Sequence, residues 1–170
     1  RLQSEEVEER HATDGSGEEM TDLRRFAGRI RVMGKSIEQN ADALTRKVAL
    51  AVDSAVVIAT PVDTGRARSN WQVNIGAPAD GTREAYSPGK EGSTSGPNAQ
   101  AAIEQGQTEI AKYKGGSAIH ITNNLPYIGR LNDGWSAQAP SGFVEKAVLV
   151  GVAAAQGAGS LLQNALNEEL

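Results

Sequence analysis

The sequence predicts an α+β protein, in which a long N-terminal helix and a C-terminal helix pack against a small, mainly antiparallel sheet. Apolar residues recur at three- and four-residue spacing over residues 21–60 and again over residues 141–166, the period of a helix with one buried face. Between these runs, apolar and polar residues alternate at residues 70–75 and 118–122, the period of a strand. A chain of 170 residues is expected to form one core.

The first 19 residues differ in composition from the rest. They hold seven acidic and two basic residues, a net charge of −5, with one leucine and one valine. Because so little apolar surface does not offset the entropy lost on ordering, we predict a flexible acidic tail over residues 1–19 and a single domain over residues 20–170. Met20 could be the original start, so the tail is either a functional arm or not native. The whole chain carries −4, which leaves +1 on the domain.

The helical period of the first long run ends at Pro61, because proline disfavours helix in the residue before it. Gly34 and Ser36 are expected to divide this run into a short helix and a longer one. The first segment also has a basic side, formed by Arg24, Arg25, Arg29, Arg31 and Lys35. Charges on an amphipathic helix usually form a solvated face. The alternative is that these residues meet DNA phosphates in a channel.

A turn is predicted between this helix and the first strand. Pro61 fixes its own φ, the Asp63 carboxylate can accept backbone N–H groups, and Gly65 supplies a positive φ. The strand follows, with Trp71 on its apolar face and Asn70 on its polar face. We therefore predict a helix-to-strand corner shaped by Pro61, Asp63, Thr64, Gly65 and Trp71.

The same turn contains Asp63-Thr64-Gly65, the active-site triplet of aspartic proteases, in which aspartates from two subunits share a proton. Ile128-Gly129-Arg130 resembles a second short motif of the retroviral type. In those enzymes the triplet follows a buried strand, whereas here it follows a helical run. Arg66 also stands where they have a small residue. The turn accounts for every residue, and the protease is kept as a remote alternative.

Residues 76–98 contain three prolines and several glycines, which predicts a long loop. Loops of this length are usually functional or disordered, and we expect this one to be mobile until it meets a neighbour. A helix over residues 99–113, the second strand and a turn-rich segment over residues 123–140 come next. Ser141 is expected to cap the last helix, and Gly157 and Gly159 to loosen it.

No catalytic, cofactor-binding or metal-binding residue is predicted. The chain has no cysteine, which excludes thiolate zinc sites and disulfides. His11 and His120 lack metal-ligand spacing, and residues 92–96 only loosely match a nucleophile elbow. The apolar runs are also too short for a membrane anchor.

Four segments together carry a family resemblance. They read TPVDTGRARSNW at 60–71, NNLPYI at 123–128, NDGWS at 132–136 and APSGFV at 139–144. The combination resembles the tail-completion family of tailed bacteriophages, which includes the minor tail proteins Z of lambda-type phages, over about residues 48–148. Many members place an acidic residue two before the glycine matched by Gly134, and here Asn132 occupies that position.

The resemblance implies a structural virion protein, made in the host bacterial cytoplasm and without catalysis or cofactor. It would form a six- or twelvefold ring that completes the tail or neck around the DNA channel at the head–tail junction. Its partners would be further copies of the chain, a portal-adaptor or head-closure protein, a tail terminator or tail tube protein, and passing double-stranded DNA without sequence specificity, with no membrane. A tail terminator or head-closure ring is the alternative. Tyr127, Gly134, Trp135, Pro140 and Phe143 are the packing or interface candidates, and Tyr127, Trp135 and Pro140 are expected to hold the segment beside the corner.

Overall fold

The computed structural model describes the backbone of residues 16–168 and the side chains of residues 24–157. The elements in chain order are helix α1 (Ser16–Ala59), helical turn α2 (Arg66–Ser69), strand β1 (Gln72–Ile75), helix α3 (Ser95–Ile110), strand β2 (Ile119–Thr122), helical turn α4 (Ile128–Arg130), which continues into a π-helical turn (Leu131–Trp135), and helix α5 (Phe143–Glu168). The two strands pair antiparallel, with Val73 opposite Ile121. The predicted α+β fold class is confirmed.

The contacts within the chain divide it into two units, Arg1–Gln39 and Asn40–Leu170, so the division falls inside α1. Residues 1–15 of the predicted acidic tail lie outside the described residues, and residues 16–19 belong to α1. Helix α1 runs through Gly34 and Ser36 without a break, so the predicted division into two helices is wrong. A glycine within a helix costs about 1 kcal/mol relative to alanine, which does not break a helix of this length.

In the unit Arg1–Gln39, the described side chains are almost all exposed. Phe26, Ile30, Met33 and Ile37 share one face of α1, as their spacing predicts, but they are 61%, 48%, 54% and 63% exposed. The predicted shared face is therefore present, and its side chains are largely exposed. A helical period shows which residues share a face, but it does not show what covers that face.

The core of the unit Asn40–Leu170 lies where α1, α3 and α5 meet β1. Val56 and Val57 of α1 form one buried cluster with Trp71, Ala102 and Ala147. A second cluster joins Ala49, Val73 and Ile110. Apart from Trp71 these residues are aliphatic, which follows from an aromatic content of only 4%.

Helices α1 and α5 approach each other closely at Gly151. A Cβ atom built on Gly151 would lie only 2.6 Å from the Cα atom of Val52. Over residues 143–157 of α5, whose side chains are described, the buried positions are Phe143, Ala147, Gly151 and Ala155. Val148 shares the apolar period of this helix but is 37% exposed, because the buried positions follow one another at four-residue intervals.

Replacing Gly151 with alanine is expected to destabilise the protein by about 1–3 kcal/mol, because overpacking forces the backbones apart. Urea unfolding followed by circular dichroism measures the change. Gly157→Ala is the matched control, since a Cβ atom there would meet nothing within 4 Å. That variant is expected to gain up to about 1 kcal/mol from helix propensity. Equal stabilisation by both substitutions would contradict the close approach of the helices.

The loop between β1 and α3 is packed against the protein rather than free. Helix α3 begins at Ser95, so residues 95–98 of the predicted loop are helical. The backbone N–H of Arg83 donates to Asn70 Oδ1 at 2.8 Å, and that of Ser87 donates to Asn98 Oδ1 at 2.9 Å. The mobility expected for this loop does not fit these contacts. The buried side chains of Asn70 and Asn98 accept backbone N–H groups of the loop, which satisfies those groups as strand pairing would.

Candidate functional site

The predicted corner borders an open cavity of about 370 Å³, here called the corner cavity. One part of its lining comes from the corner and the other from the turn-rich segment ahead of α5. The lining residues are Pro61, Val62, Asp63, Thr64, Gly65, Ala67, Tyr127, Leu131, Ser136 and Gln138. Three of the four segments that carry the family resemblance, at residues 60–71, 123–128 and 132–136, therefore meet at this cavity.

Two hydrogen bonds join the corner to the downstream segment. The backbone N–H of Val62 donates to Gln138 Oε1 at 2.9 Å. The side-chain amide of Asn123 donates to the carbonyl oxygen of Ala67, also at 2.9 Å. These bonds connect residues 76 and 56 positions apart in the chain, so they fix the corner against a distant part of the sequence.

The turn at the corner has the predicted conformation. Gly65 has a φ of 89°, and the Asp63 carboxylate accepts the backbone N–H of Glu91 at 3.1 Å. The carbonyl oxygen of Asp63 also accepts the N–H of Gly92 at 2.9 Å. Helical turn α2 separates Gly65 from the strand, which the sequence did not indicate.

Asp63 is exposed and follows a helix and a turn. This placement differs from that of an aspartic protease triplet, which lies at the end of a buried strand. Within the described side chains, no group of three or more histidine, cysteine, aspartate and glutamate residues could hold a metal ion.

Arg68 binds the carboxyl end of helix α1. Its guanidinium donates to the carbonyl oxygens of Ile58 and Thr60, both at 2.8 Å. It also donates to Ser95 Oγ at 2.5 Å, at the start of α3, and burial lowers the pKa of this guanidinium. A cation at a helix C-terminus typically contributes about 0.3–1 kcal/mol. Sequence reasoning missed Arg68, because only the folded corner brings it back to the end of α1.

Trp71 is buried beside the same helix end. Its indole N–H donates to Thr60 Oγ1 at 2.7 Å, and the Thr60 hydroxyl donates to the carbonyl oxygen of Val56 at 2.6 Å. The ring belongs to the core cluster that contains Val56 and Val57. Trp71 therefore joins the corner to the core through both apolar contact and a hydrogen-bonded chain.

Two fully buried asparagines hold the corner and the loop together. Asn98 Oδ1 accepts the Ser69 hydroxyl at 2.8 Å, and its amide donates to the carbonyl oxygens of Ser87 and Thr94 at 2.7 and 2.8 Å. Asn70, predicted on the polar face of the strand, is likewise buried and precedes β1. That prediction is wrong, because a buried amide is stable when all its groups are hydrogen-bonded.

Tyr127 lies at the rim of the corner cavity and is 37% exposed. Burial raises the pKa of the Tyr127 hydroxyl, Glu84 raises it further and Arg66 opposes both effects. Arg66 and Glu84 form an ion pair at 3.1 Å. The phenol at the rim therefore lies within the electrostatic reach of an ion pair.

The other interface candidates do not share one environment. Trp135 is 75% exposed, with the Arg130 guanidinium 5.5 Å from its ring centroid. It does not hold the segment against the corner, so this part of the prediction is wrong. Pro140 is also exposed, whereas Phe143 is buried. Gly134 has a φ of 91° in the π-helical turn.

Asn132 binds the beginning of α5. Its Oδ1 accepts the backbone N–H of Val144 at 2.9 Å, and its amide donates to the Glu145 carboxylate at 3.0 and 3.1 Å. The amide lowers the pKa of Glu145. An ionised aspartate could accept from Val144 but could not donate to Glu145. The asparagine at position 132, where an acidic residue is common in the family that this chain resembles, therefore suits the Glu145 carboxylate as its partner.

Comparison with protein-family models, with curated proteins and with solved structures gives no match in any of the three. Among the helices that the structure describes, none is both long enough and apolar enough to cross a membrane. Arg24, Arg25, Arg29, Arg31 and Lys35 are exposed on α1 and do not line the corner cavity.

Proposed function

We propose that this chain is a structural protein of a tailed bacteriophage, which forms a ring at the head–tail junction and completes the tail or neck around the DNA channel. The observation that carries the proposal is that three separated segments of the resemblance, at residues 60–71, 123–128 and 132–136, line one cavity. A family resemblance carried by segments far apart in the sequence is better supported when those segments contact each other in the fold. The hydrogen bond from the Asn123 amide to the carbonyl oxygen of Ala67 links two of them directly.

The surface of the chain supports assembly. Large apolar side chains are exposed on α1 and again on α5, where Leu149 and Val150 are 70% and 64% exposed. Monomeric proteins seldom expose extended apolar patches, and such patches usually mark contact surfaces. The polar chemistry of the corner serves to hold backbone segments in place, which suits a subunit that must keep its shape under the load of a virion joint.

In this proposal the partners are further copies of the chain, a portal-adaptor or head-closure protein, and a tail terminator or tail tube protein. The basic side chains of α1 would face the DNA. Phosphate contacts of this kind carry no sequence specificity and weaken with salt. A tail terminator or a head-closure ring is the alternative within the same class.

Electron microscopy of lysates tests the proposal, using a phage with a nonsense mutation in this gene. Filled heads beside separate tails of normal length are the expected result, and complementation with the intact gene should restore joined particles. Overlong tails would instead identify a terminator, and heads that lose their DNA would identify a head-closure ring. Normal infectious particles would overturn the structural function altogether.

Asp63→Asn separates the proposal from the protease alternative. Joined, infectious particles are expected from this variant, because the asparagine oxygen can still accept the Glu91 N–H group. Asp80→Asn is the matched control at another exposed aspartate. Uncleaved, immature capsids with Asp63→Asn alone would favour a dimeric aspartic protease.

A further inference from the structure

Helix α1 carries a buried carboxyl group that nothing in the described part of the fold neutralises. Asp53 is 1% exposed, and neither of its carboxylate oxygens has a hydrogen-bond partner among the described residues. Moving a carboxylate out of water without a partner is strongly unfavourable. The side chain is therefore compatible with its surroundings only as the neutral acid.

Helix α3 and strand β1 both lie against this side chain. A Cβ atom built on Gly106 of α3 would lie 2.9 Å from Asp53 Cγ and 3.1 Å from Cγ2 of Val73. Gly106 is buried and has no side chain, so the backbone of α3 lies directly beside the carboxyl group. Water can therefore hydrate this group only when a covering element moves.

The charged and titratable groups of the covering elements are occupied elsewhere. On α3, Glu104 is exposed and Glu109 forms an ion pair with Lys112 at 2.7 Å. Strand β1 has no charged residue. His120 of the neighbouring strand β2 projects from the face of the sheet opposite to the one that packs on α3. The described fold therefore offers Asp53 no counter-charge from these elements.

The amino-terminal half of α3 is held more firmly than the carboxyl-terminal half. Buried Asn98 binds the corner and the loop through several hydrogen bonds. Beyond Gly106, the helix is held by the apolar packing of Ile110 and by the Arg46 guanidinium, which donates to the carbonyl oxygen of Tyr113 at 2.6 Å. Movement of α3 is therefore easiest at its carboxyl-terminal end.

We propose that ionisation of Asp53 releases the carboxyl-terminal half of α3, residues 106–113, from α1. The neutral acid keeps this contact closed, and the carboxylate opens it by drawing in water. Ile110 packs with Ala49 and Val73 in the closed form, so opening uncovers an apolar surface. The fold therefore contains a proton-controlled latch, which is a property of the subunit itself and does not depend on the proposed function.

The direction of the response follows from the protonation of the two forms. Burial raises the pKa of Asp53 from 3.8 to about 7 in the closed form, whereas in the open form water restores the ordinary value. The open form therefore loses the proton first as the pH rises. The equilibrium constant for opening is expected to increase about tenfold for each pH unit between about 4 and 7 and to level off above that.

Amide hydrogen exchange of the full chain from pH 5 to 8 tests the latch. After correction for the intrinsic pH dependence of exchange, the opening constant of amides 107–113 is expected to rise about 100-fold between pH 5 and 7. In Asp53→Asn it should stay constant, and Asp80→Asn, at an exposed position, should follow the wild type. The same pH dependence in Asp53→Asn as in the wild type would overturn the proposal.

Dilute urea separates the latch from complete unfolding. A local opening exposes little surface, so the exchange of amides 107–113 is expected to depend weakly on urea, whereas amides 147–155 of α5 should follow global unfolding. Equal protection and equal urea dependence of the two helices would show that Asp53 affects only global stability, and the latch would be overturned.

Arg46→Gln distinguishes the closing contact from the proton sensor. Loss of the bond to the Tyr113 carbonyl is expected to raise the opening constant roughly tenfold at every pH, the effect of losing one hydrogen bond to a charged group. The pH dependence should remain, because Asp53 is still present. Loss of the pH dependence in this variant would place the sensor outside Asp53 and contradict the proposal.

Discussion

Replacing Gly65 with valine is expected to lower the free energy of unfolding by about 3–5 kcal/mol, which combines backbone strain with the loss of buried hydrogen bonds. The φ of Gly65 is 89°, a conformation that β-branched residues adopt badly. A Cβ atom at this position would lie 2.9 Å from Asn98 Cγ and 3.3 Å from the carbonyl oxygen of Ser87. The side chain would therefore displace the buried amide that binds the loop to the corner.

Alanine substitutions separate the two causes. Gly76 has almost the same φ, 87°, but a Cβ atom there would meet nothing within 4 Å. Gly76→Ala should therefore show the conformational strain alone, and Gly65→Ala should destabilise the protein by about 1–3 kcal/mol more, the usual range for leaving a buried polar group unsatisfied. Thermal or urea unfolding measures both. Equal losses would show that Asn98 can move aside without consequence.

Asp53→Asn is expected to stabilise the protein by about 4 kcal/mol above pH 7 and to change its stability little near pH 4. Asp53 is 1% exposed on α1, and neither of its carboxylate oxygens has a hydrogen-bond partner among the described residues. It faces Gly106 of α3, where a Cβ atom would lie 2.9 Å from Asp53 Cγ. Burial raises the pKa of this carboxyl from 3.8 to about 7.

The direction of the pH dependence follows from that shift. The folded chain keeps the Asp53 proton to a higher pH than the unfolded chain does. Its contribution to stability is therefore complete below about pH 4 and is lost as the pH rises towards 7, at about 1.4 kcal/mol for each pH unit. Asparagine is neutral throughout, so the difference between the two proteins should grow over this interval.

Urea unfolding of Asp53→Asn and of the wild type at each pH from 4 to 8 measures this difference. Asp80→Asn, at an exposed position, should run parallel to the wild type. A constant difference between Asp53→Asn and the wild type across the whole range would mean that the carboxyl is ionised and solvated in the folded protein.

The regular elements could be predicted because their signals are local. A period of three to four marked α1 and α5, a period of two marked both strands, and Pro61 marked the end of the first helix. The burial of α1 could not be predicted in the same way. Phe26 and Val56 belong to similar apolar patterns on one helix, yet one is 61% exposed and the other 2%, since burial depends on what packs against each turn.

The same difference between local and long-range signals separates the corner residues that were predicted from those that were missed. Gly65 was predicted because a turn requires a positive φ. Asp63 was predicted as an acceptor within the turn, but the N–H group that its carboxylate accepts comes from Glu91, 28 residues away. Arg68, Asn70 and Asn98 were missed, since their partners lie in other segments and a polar residue in isolation is read as exposed. Complete hydrogen bonding is what permits their burial, and it exists only once the chain has folded.

The close approach at Gly151 also determines how α5 and the part of α1 beside it can move against each other. Where two helices touch through backbone atoms, their spacing is set by the contact of those atoms rather than by the choice of side-chain rotamers. Ala147, Gly151 and Ala155, which are buried on α5, have no side-chain rotamers that could change to widen or narrow the gap. We therefore expect the two helices to keep one spacing and to move as a single rigid element.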